Sequence, residues 1–342
     1  MKDCDDDIKN YHEDEVRLDS DTRKTMRGHR NANRDRLKRG LEKANKPKPD
    51  ESVIQGSYAM KTTTQHQEND YDIDDGAAFN SDKLTKEDGT EMTPLAARQM
   101  VRDALIDGGG LRTDPVAKRN CVRVEYAGGY HVDIPVYRRI LDSQGNVIRF
   151  ELASGDEWRE SNPREITEWF VDSEKKTKSE DEEEPQLRRL VRLFKKYSRA
   201  NLDRESLSGI ILTIVGTEAH QSFDPRDDLA FRNLLSRVKN RLGWNREVRN
   251  PAKFSEVLTK EKDGPKIDAL IKKLGETLQG LNVLDKPGCT MAEARAAWDK
   301  TFKTDYFGEL QKDDEAAAKG PFTPSVTEPE KKAYIRGPQT AA

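Results

Sequence analysis

Between Val122 and Leu152 apolar and polar side chains alternate with a period of two, and from Pro185 onward that period gives way to helical spacing. A strand sends successive side chains to opposite faces, whereas a helix gathers positions three and four apart. Strands in the first half and helices in the second mark an α+β protein, not a chain of alternating βαβ units. Val122, Val124 and Tyr126 share one strand face. Gly128-Gly129 then suits a hairpin turn, and Val132, Ile134 and Val136 share the face of the next strand. A third strand is expected over about Val147 to Leu152, after the turn Ser143 to Asn146. Thr93 as N-cap and Pro94 in the first turn open a helix that stops at Gly108-Gly109-Gly110. Asn162-Pro163 opens another, to about Val171. In the second half Leu187, Leu190, Val191, Phe194 and Tyr197 form one stripe. The stretch from Leu207 to Val215 is apolar almost all round, as a buried helix is. Further helices are expected at about 227–242, 265–281 and 291–302, the last with the capping box Thr290/Glu293.

The remaining totals restrict function. The chain has 342 residues, enough for two packed lobes, with 36% charged and 34% hydrophobic residues and a net charge of −3. No global basic field recruits nucleic acid, so any anion site must be local. Three cysteines, Cys4, Cys121 and Cys289, are scattered outside any CxxC spacing, which argues against a disulfide framework or a zinc knuckle and fits a reducing cytosol. The acidic first ten residues do not read as a signal peptide. The longest apolar stretch, Ile210 to Val215, is far too short to span a bilayer. A membrane role and an extended nucleic-acid surface are therefore not expected.

Three short segments carry the chemistry. Asp72-Ile73-Asp74 lies on an alternating stretch, so both carboxylates point one way while Ile73 packs behind them. Two such carboxylates repel unless a cation sits between them, and Mg²⁺ favours oxygen ligands beside phosphates. Taken alone, the pair is equally an exposed acidic turn. Asp133 projects from the face opposite Val132, Ile134 and Val136, together with His131, and supplies the third carboxylate that a two-metal phosphoryl-transfer site needs. Gly56-Ser57 follows a short apolar step, Val53-Ile54, and offers close backbone approach and a hydroxyl to a phosphate.

In this order the segments resemble the DNA polymerase β-like nucleotidyltransferases. They are more similar still to the bacterial cyclic-oligonucleotide synthases, the CD-NTases, and within these to the cyclic GMP-AMP synthase group. The resemblance rests on Gln55-Gly56-Ser57-Tyr58, Tyr71 to Gly76, Asn120 to Val124, His131 to Tyr137, Trp158 to Phe170 and Arg188 to Tyr197, and spans roughly residues 10–310. It implies an N-terminal brace-helix region over 1–50 and a nucleotidyltransferase core with a mixed sheet over 51–172. A charged loop over 173–184, a C-terminal helical lobe over 185–319 and a flexible tail over 320–342 complete the division. It implies that Asp72, Asp74 and Asp133 are catalytic and hold two Mg²⁺ ions, with Mn²⁺ as a substitute. Nucleoside triphosphates, ATP and GTP, would be joined with release of pyrophosphate, giving a second messenger in anti-phage defence. It also implies that a ubiquitin-transfer-like partner enzyme acts on the C-terminal tail.

Arg188, Arg192, Lys195 and Arg199 follow at spacings of four, three and four and read as one basic helix face opposite the apolar stripe. Lys195 matches the family's triphosphate lysine and Arg123 its strand arginine near the acceptor, while Arg188 and Arg199 read better as solvated charges. Ser208 and Ser161 are nucleotide-contact candidates, although close packing and a helix cap explain them more simply. Tyr58 either packs under the nucleotide loop or stacks on a base. His131 reads best as a satisfied polar face residue. The basic run Arg23 to Arg39 spreads around a helix and reads as a solvated brace. A linear oligonucleotide or RNA-extending nucleotidyltransferase would share the three Asp and add a basic groove. A non-catalytic nucleotide-binding protein would not need all three.

Overall fold

In a computed structural model of the chain, residues 1–66, 71–86, 88–178, 184–222 and 224–318 are described. The N-terminal region holds α1 (Asp5–Tyr11), which runs into a π-turn at His12–Val16, and α2 (Ser20–Lys43). The core follows as β1 (Glu51–Gln55), α3 (Gly56–Ala59), β2 (Tyr71–Asn80), α4 (Pro94–Asp107), β3 (Val116–Ala117), β4 (Val122–Glu125), β5 (Tyr130–Ile134), β6 (Val136–Leu141), β7 (Val147–Ser154), β8 (Glu157–Glu160) and α5 (Glu165–Thr177). The rest is helical: α6 (Gln186–Leu202), α7 (Gly209–Ala219), α8 (Asp227–Trp244), α9 (Gly264–Leu281), α10 (Met291–Phe302) and α11 (Tyr306–Ala318), with one small hairpin, β9 (Arg249–Asn250) and β10 (Lys253–Val257). The expected α+β class with a mixed sheet and a helical C-terminal region is what the chain forms.

The sheet is organised around β2. Antiparallel β1 pairs with it from Glu51↔Ala78 to Gln55↔Asp74. On the other edge β5 and β6 lie end to end and parallel, with Asp74 opposite Asp133 and Ala77 opposite Val136, so the register runs on without a slip. The alternating stretch expected from sequence is thus one line of strand, interrupted at Pro135 because proline has no N–H to donate. Its carbonyl still accepts from Ala77 N–H at 2.8 Å. Antiparallel β4 flanks β5, and β7 flanks β6.

One core lies under the sheet, where Ala77, Phe79, Val122, Val124, Val132, Ile134 and Val136 meet Val101 and Leu105 of α4 and Leu37 and Leu41 of α2. A larger one fills the helical lobe, from Leu190, Phe194 and Tyr197 of α6 to Trp298 and Phe302 of α10, and takes in Ile8 and Tyr11 of α1. The first residues of the chain are therefore built into the last lobe. Asp7 and Arg295 pair there at 2.8 Å, both buried.

Four expectations need correction. β4 ends at Glu125, one residue short of Tyr126, although Tyr126 still packs against the core of Val122 and Val124 and its hydroxyl reaches Asn33 and Arg36 of α2. The helix after Asn162-Pro163 starts only at Glu165 and runs to Thr177, past Val171 and into the charge run. There Glu174 is buried and holds Arg188 through two bonds of 2.7 and 2.5 Å, so a partner on α6 draws part of the presumed loop into a helix. The brace helix is not simply solvated. Arg34 grips the buried Asp75 through both oxygens, Arg36 and Arg39 reach the carbonyls of Gly108, Gly109 and Gly110, and Lys43 reaches that of Asp107. Arg36, Arg39 and Lys43 thus cap the C-terminal end of α4, where free carbonyls attract cations. The tail over 320–342 and residues 179–183 of the charged loop lie outside the described residues.

Candidate active site

The sheet brings its functional side chains together by register. Asp72 and Asp74 point the same way from β2, and Asp133 stands directly opposite Asp74 on β5. Arg123 stands opposite Asp133 on β4. Arg123 donates to both carboxylate oxygens of Asp133 at 2.7 Å each. This bidentate pair raises the pKa of the Arg123 guanidinium. Arg123 therefore competes with any cation for Asp133.

Electrostatics mark Asp74 as the stressed member. Burial, then repulsion from Asp72 and Asp133, pushes its carboxyl up to about 8, against the relief given by Arg123. Gly56, just beyond the end of β1, explains how the group fits. Its φ is +68°, and a Cβ there would come within 2.3 Å of Asp74 Oδ2. Only glycine lets the chain turn this close to the carboxylate.

These groups face a cleft of about 680 Å³ between the sheet and the helical lobe, lined by Gly56, Ser57, Asp72, Asp74, Arg123 and His131 on one side. Lys195 and Arg199 from α6, Asp203, and Ser206 to Gly209 at the start of α7 line the other. Thr62, Thr63 and Thr64 close the end between them. Lys195 is buried, and its Nζ donates to Thr62 Oγ1 at 3.0 Å and to the Thr62 carbonyl at 3.3 Å. Burial lowers its pKa to about 7, with Asp72 pulling the other way and Arg199 and Arg192 adding to the fall. Ser57 Oγ lies 3.1 Å from Thr63 Oγ1, so the Gly56-Ser57 turn and the threonine run form one wall.

Of the residues singled out in the sequence, Gly56, Ser57, Asp72, Asp74, Arg123, Lys195 and Ser208 line this cleft, and Asp133 adjoins it through Arg123. Three are placed elsewhere. Gln55 accepts from the Tyr137 hydroxyl at 2.9 Å. Tyr58 packs against Leu18, Met26, Tyr71 and Ile73. Ser161 lies beside β7, donating its N–H to the Phe150 carbonyl. The basic face of α6 is divided. Arg188 is held by Glu174 and Arg192 is 1% exposed, while Lys195 and Arg199 line the cleft. His131 and Arg199, read as ordinary polar residues, are both in the lining. Thr62, Thr63 and Asp203 were not singled out. A Thr-Thr-Thr run after a Gly-Ser turn was the only signal for the two threonines, and Asp203 had none.

The geometry has counterparts among known proteins. A family described as cyclic GMP-AMP synthase DncV-like, nucleotidyltransferase domain, matches residues 51–137. That span runs from β1 to the start of β6 and contains all three carboxylates. Residues 51–137 are a DncV-like nucleotidyltransferase domain. The fold continues the likeness beyond the domain. The di-nucleotide cyclase DncV of Vibrio cholerae, solved as an aspartate-to-alanine double mutant, superposes with a TM-score of 0.67 over 84% of this chain and 91% of its own, at 17% identity. The same enzyme in complex with the linear intermediate pppA(3′,5′)pG gives a TM-score of 0.63 at 18% identity and the same coverage. The CD-NTase CdnG of Bradyrhizobium diazoefficiens, solved with GTP, gives 0.66 at 15% identity over 91% of this chain and 98% of its own. At these identities the likeness shows a shared fold. With its DncV-like domain and the carboxylates in place, the chain is a nucleotidyltransferase. No helix among the described residues is long and apolar enough to cross a membrane.

Proposed function

We propose that the chain joins nucleoside triphosphates into a cyclic oligonucleotide, with cyclic GMP-AMP from ATP and GTP as product and pyrophosphate as leaving group. The observation that carries this is the meeting of three carboxylates with a buried lysine across one cleft walled by Gly56, Ser57 and the threonine run. Their donor set suits hard divalent cations: all-oxygen, carboxylate, and so crowded that Asp74 resists ionisation. Asp72, Asp74 and Asp133 would hold Mg²⁺ or Mn²⁺, which supplies charge neutralisation at the α-phosphate and a more acidic attacking hydroxyl. The chain's own residues do the rest. Ser57, Thr62 and Thr63 present hydroxyls to the triphosphate. Lys195, freed from Thr62, gives it a positive charge. Arg123 leaves Asp133 for an anionic group of the acceptor nucleotide. Placing two nucleotides in line is the larger part of the acceleration, because phosphoryl transfer demands little else of a protein.

Support for a nucleotide pair comes from the likeness to DncV holding pppA(3′,5′)pG and to CdnG holding GTP. The reading places the enzyme in the cytoplasm, as the source of a second messenger in anti-phage defence, with a partner enzyme acting on residues 320–342. A long acceptor strand is less well served, since Arg34, Arg36 and Arg39 of α2 are engaged within the protein.

Product analysis tests the reading. The protein would be incubated with Mg²⁺ and four labelled nucleoside triphosphates, then phosphatase, beside an Asp72→Asn/Asp74→Asn double variant. A phosphatase-resistant product that needs both carboxylates is expected, and omitting single nucleotides identifies its bases. Linear products alone would sink the cyclase assignment, and no binding of any nucleoside triphosphate would sink the whole site.

A further inference from the structure

Behind the wall of the cleft lies a second polar cluster that the proposed chemistry does not use. Arg192 sits on α6 one turn before Lys195 and is 1% exposed. Its Nε and Nη2 both donate to the Lys61 carbonyl, at 2.8 and 2.5 Å. Its Nη1 reaches His12 Nε2 at 3.2 Å and Glu184 at 2.9 Å. Arginine has no acceptor, so His12 Nε2 must accept, and the proton is on Nδ1, which donates to Glu13 at 3.1 Å. His12 is fully buried and occupies the π-turn after α1. Such turns concentrate at functional positions.

The Lys61 carbonyl is a lever on the cleft. Lys61 has φ +56°, a left-handed conformation that a side chain disfavours. The turn it makes folds the chain back so that Thr62 N–H bonds Ser57 O at 2.8 Å and Thr63 meets Ser57 Oγ. Lys195 then holds Thr62 from the cleft side. Two cations three residues apart on α6 thus grip consecutive peptide units of one loop, one from behind and one from within. The tight His, Glu, Glu cluster is occupied by the guanidinium, which is why it reads as an anchor for arginine and not as a metal site.

We propose that Arg192, oriented by His12 and Glu184, is a positioning residue that fixes the Lys61–Thr64 loop in the shape that receives the triphosphate. Through it the π-turn that begins at His12, 180 residues away in sequence, sets nucleotide affinity. The inference rests on the cleft being the nucleotide site.

The test measures binding of a non-hydrolysable ATP analogue with Mg²⁺, and separately KM and kcat, for wild type, Arg192→Met, Arg192→Lys and His12→Ala, with a thermal melt of each. Arg192→Met is expected to weaken analogue binding and raise KM about tenfold or more, with kcat falling less. Arg192→Lys should recover part of the loss, because one donor still reaches the carbonyl. His12→Ala, which leaves the guanidinium in place but unoriented, should raise KM by less than Arg192→Met does. It carries the test if Arg192→Met does not fold. Folded variants with wild-type binding and KM would overturn the proposal. So would losses of kcat and KM that merely follow the melting temperature, with no recovery in Arg192→Lys. A wild type that binds no analogue would instead refute the nucleotide site itself.

Discussion

Replacing Asp74 by asparagine should make the metal-free protein more stable while destroying its activity. The carboxyl of Asp74 is pushed from 3.8 to about 8 by burial and by Asp72 and Asp133. A raised carboxyl binds its proton more tightly in the folded chain than in the unfolded one. Stability is then unaffected below the ordinary value, falls as pH climbs from about 4 to about 8, and is level above. At about 1.4 kcal/mol per unit the full displacement is roughly 6 kcal/mol, and because Asp72 and Asp133 share the repulsion, a net gain of about 2–4 kcal/mol is the reasonable figure at pH 8. Asparagine keeps the shape and removes the charge. For a protein of this size that gain corresponds to a rise on the order of 5 °C in melting temperature. The assay is thermal unfolding in EDTA at pH 4, 6 and 8 for wild type and Asp74→Asn. The two should coincide at pH 4 and separate steadily toward pH 8, and adding Mg²⁺ or Mn²⁺ at pH 8 should narrow the gap by stabilising the wild type alone. A gap that is absent at pH 8, reversed, or already complete at pH 4 would refute the claim that carboxylate crowding is stored in this site.

Three further outcomes follow from the same geometry. Gly56→Ala places a Cβ against the Asp74 carboxylate at a φ of +68°. It should cost about 1–3 kcal/mol in denaturant unfolding and lower kcat/KM by about a hundredfold or more. Lys195 is held down to about 7 by burial, so at pH 8 its amine is mostly neutral, and a triphosphate beside it should restore the proton. Calorimetry of nucleotide binding at pH 8 in buffers of different ionisation heat should show close to one proton taken up, an uptake that Lys195→Met abolishes. Arg123→Ala leaves Asp133 without its two charge-assisted bonds. The metal-free melting temperature should fall by a few degrees, and Mn²⁺ should bind more tightly than to wild type because the competing guanidinium is gone. Unchanged Mn²⁺ affinity, read by titration calorimetry, would show that Arg123 does not guard Asp133.

What the sequence disclosed of this site follows the range over which each signal acts. Asp72 and Asp74 were legible because the strand period is local: two residues apart means one face, whatever the strand pairs with. Asp133 needed one step more, since its place opposite Asp74 depends on a parallel pairing that the spacing does not encode. The ordered resemblance supplied that step. Gln55, Tyr58 and Ser161 adjoin these motifs, yet the side chains of Gln55 and Ser161 turn to Tyr137 and that of Tyr58 to Tyr71, neighbours that only the folded sheet provides.

The cations of α6 show where sequence reasoning stops. Arg188, Arg192, Lys195 and Arg199 occupy one helical face, and helix geometry alone gives them one role. The fold gives them three. Glu174, at the end of a helix that the charge run concealed, captures Arg188. His12 and Glu184 capture Arg192 from behind the cleft. Lys195 and Arg199 line the cleft on the side opposite Asp72 and Asp74. The difference between a structural and a functional cation is thus made by acidic and histidine partners 14 and 180 residues away along the chain. The fully buried Arg192 is as dependent on those partners as any catalytic group is on its own. Removing a partner from a buried guanidinium is costlier than removing the guanidinium with it. Glu184→Ala should therefore melt lower than the Arg192→Met/Glu184→Ala pair, and a double variant no more stable than the single one would show that Arg192 is held by the loop alone.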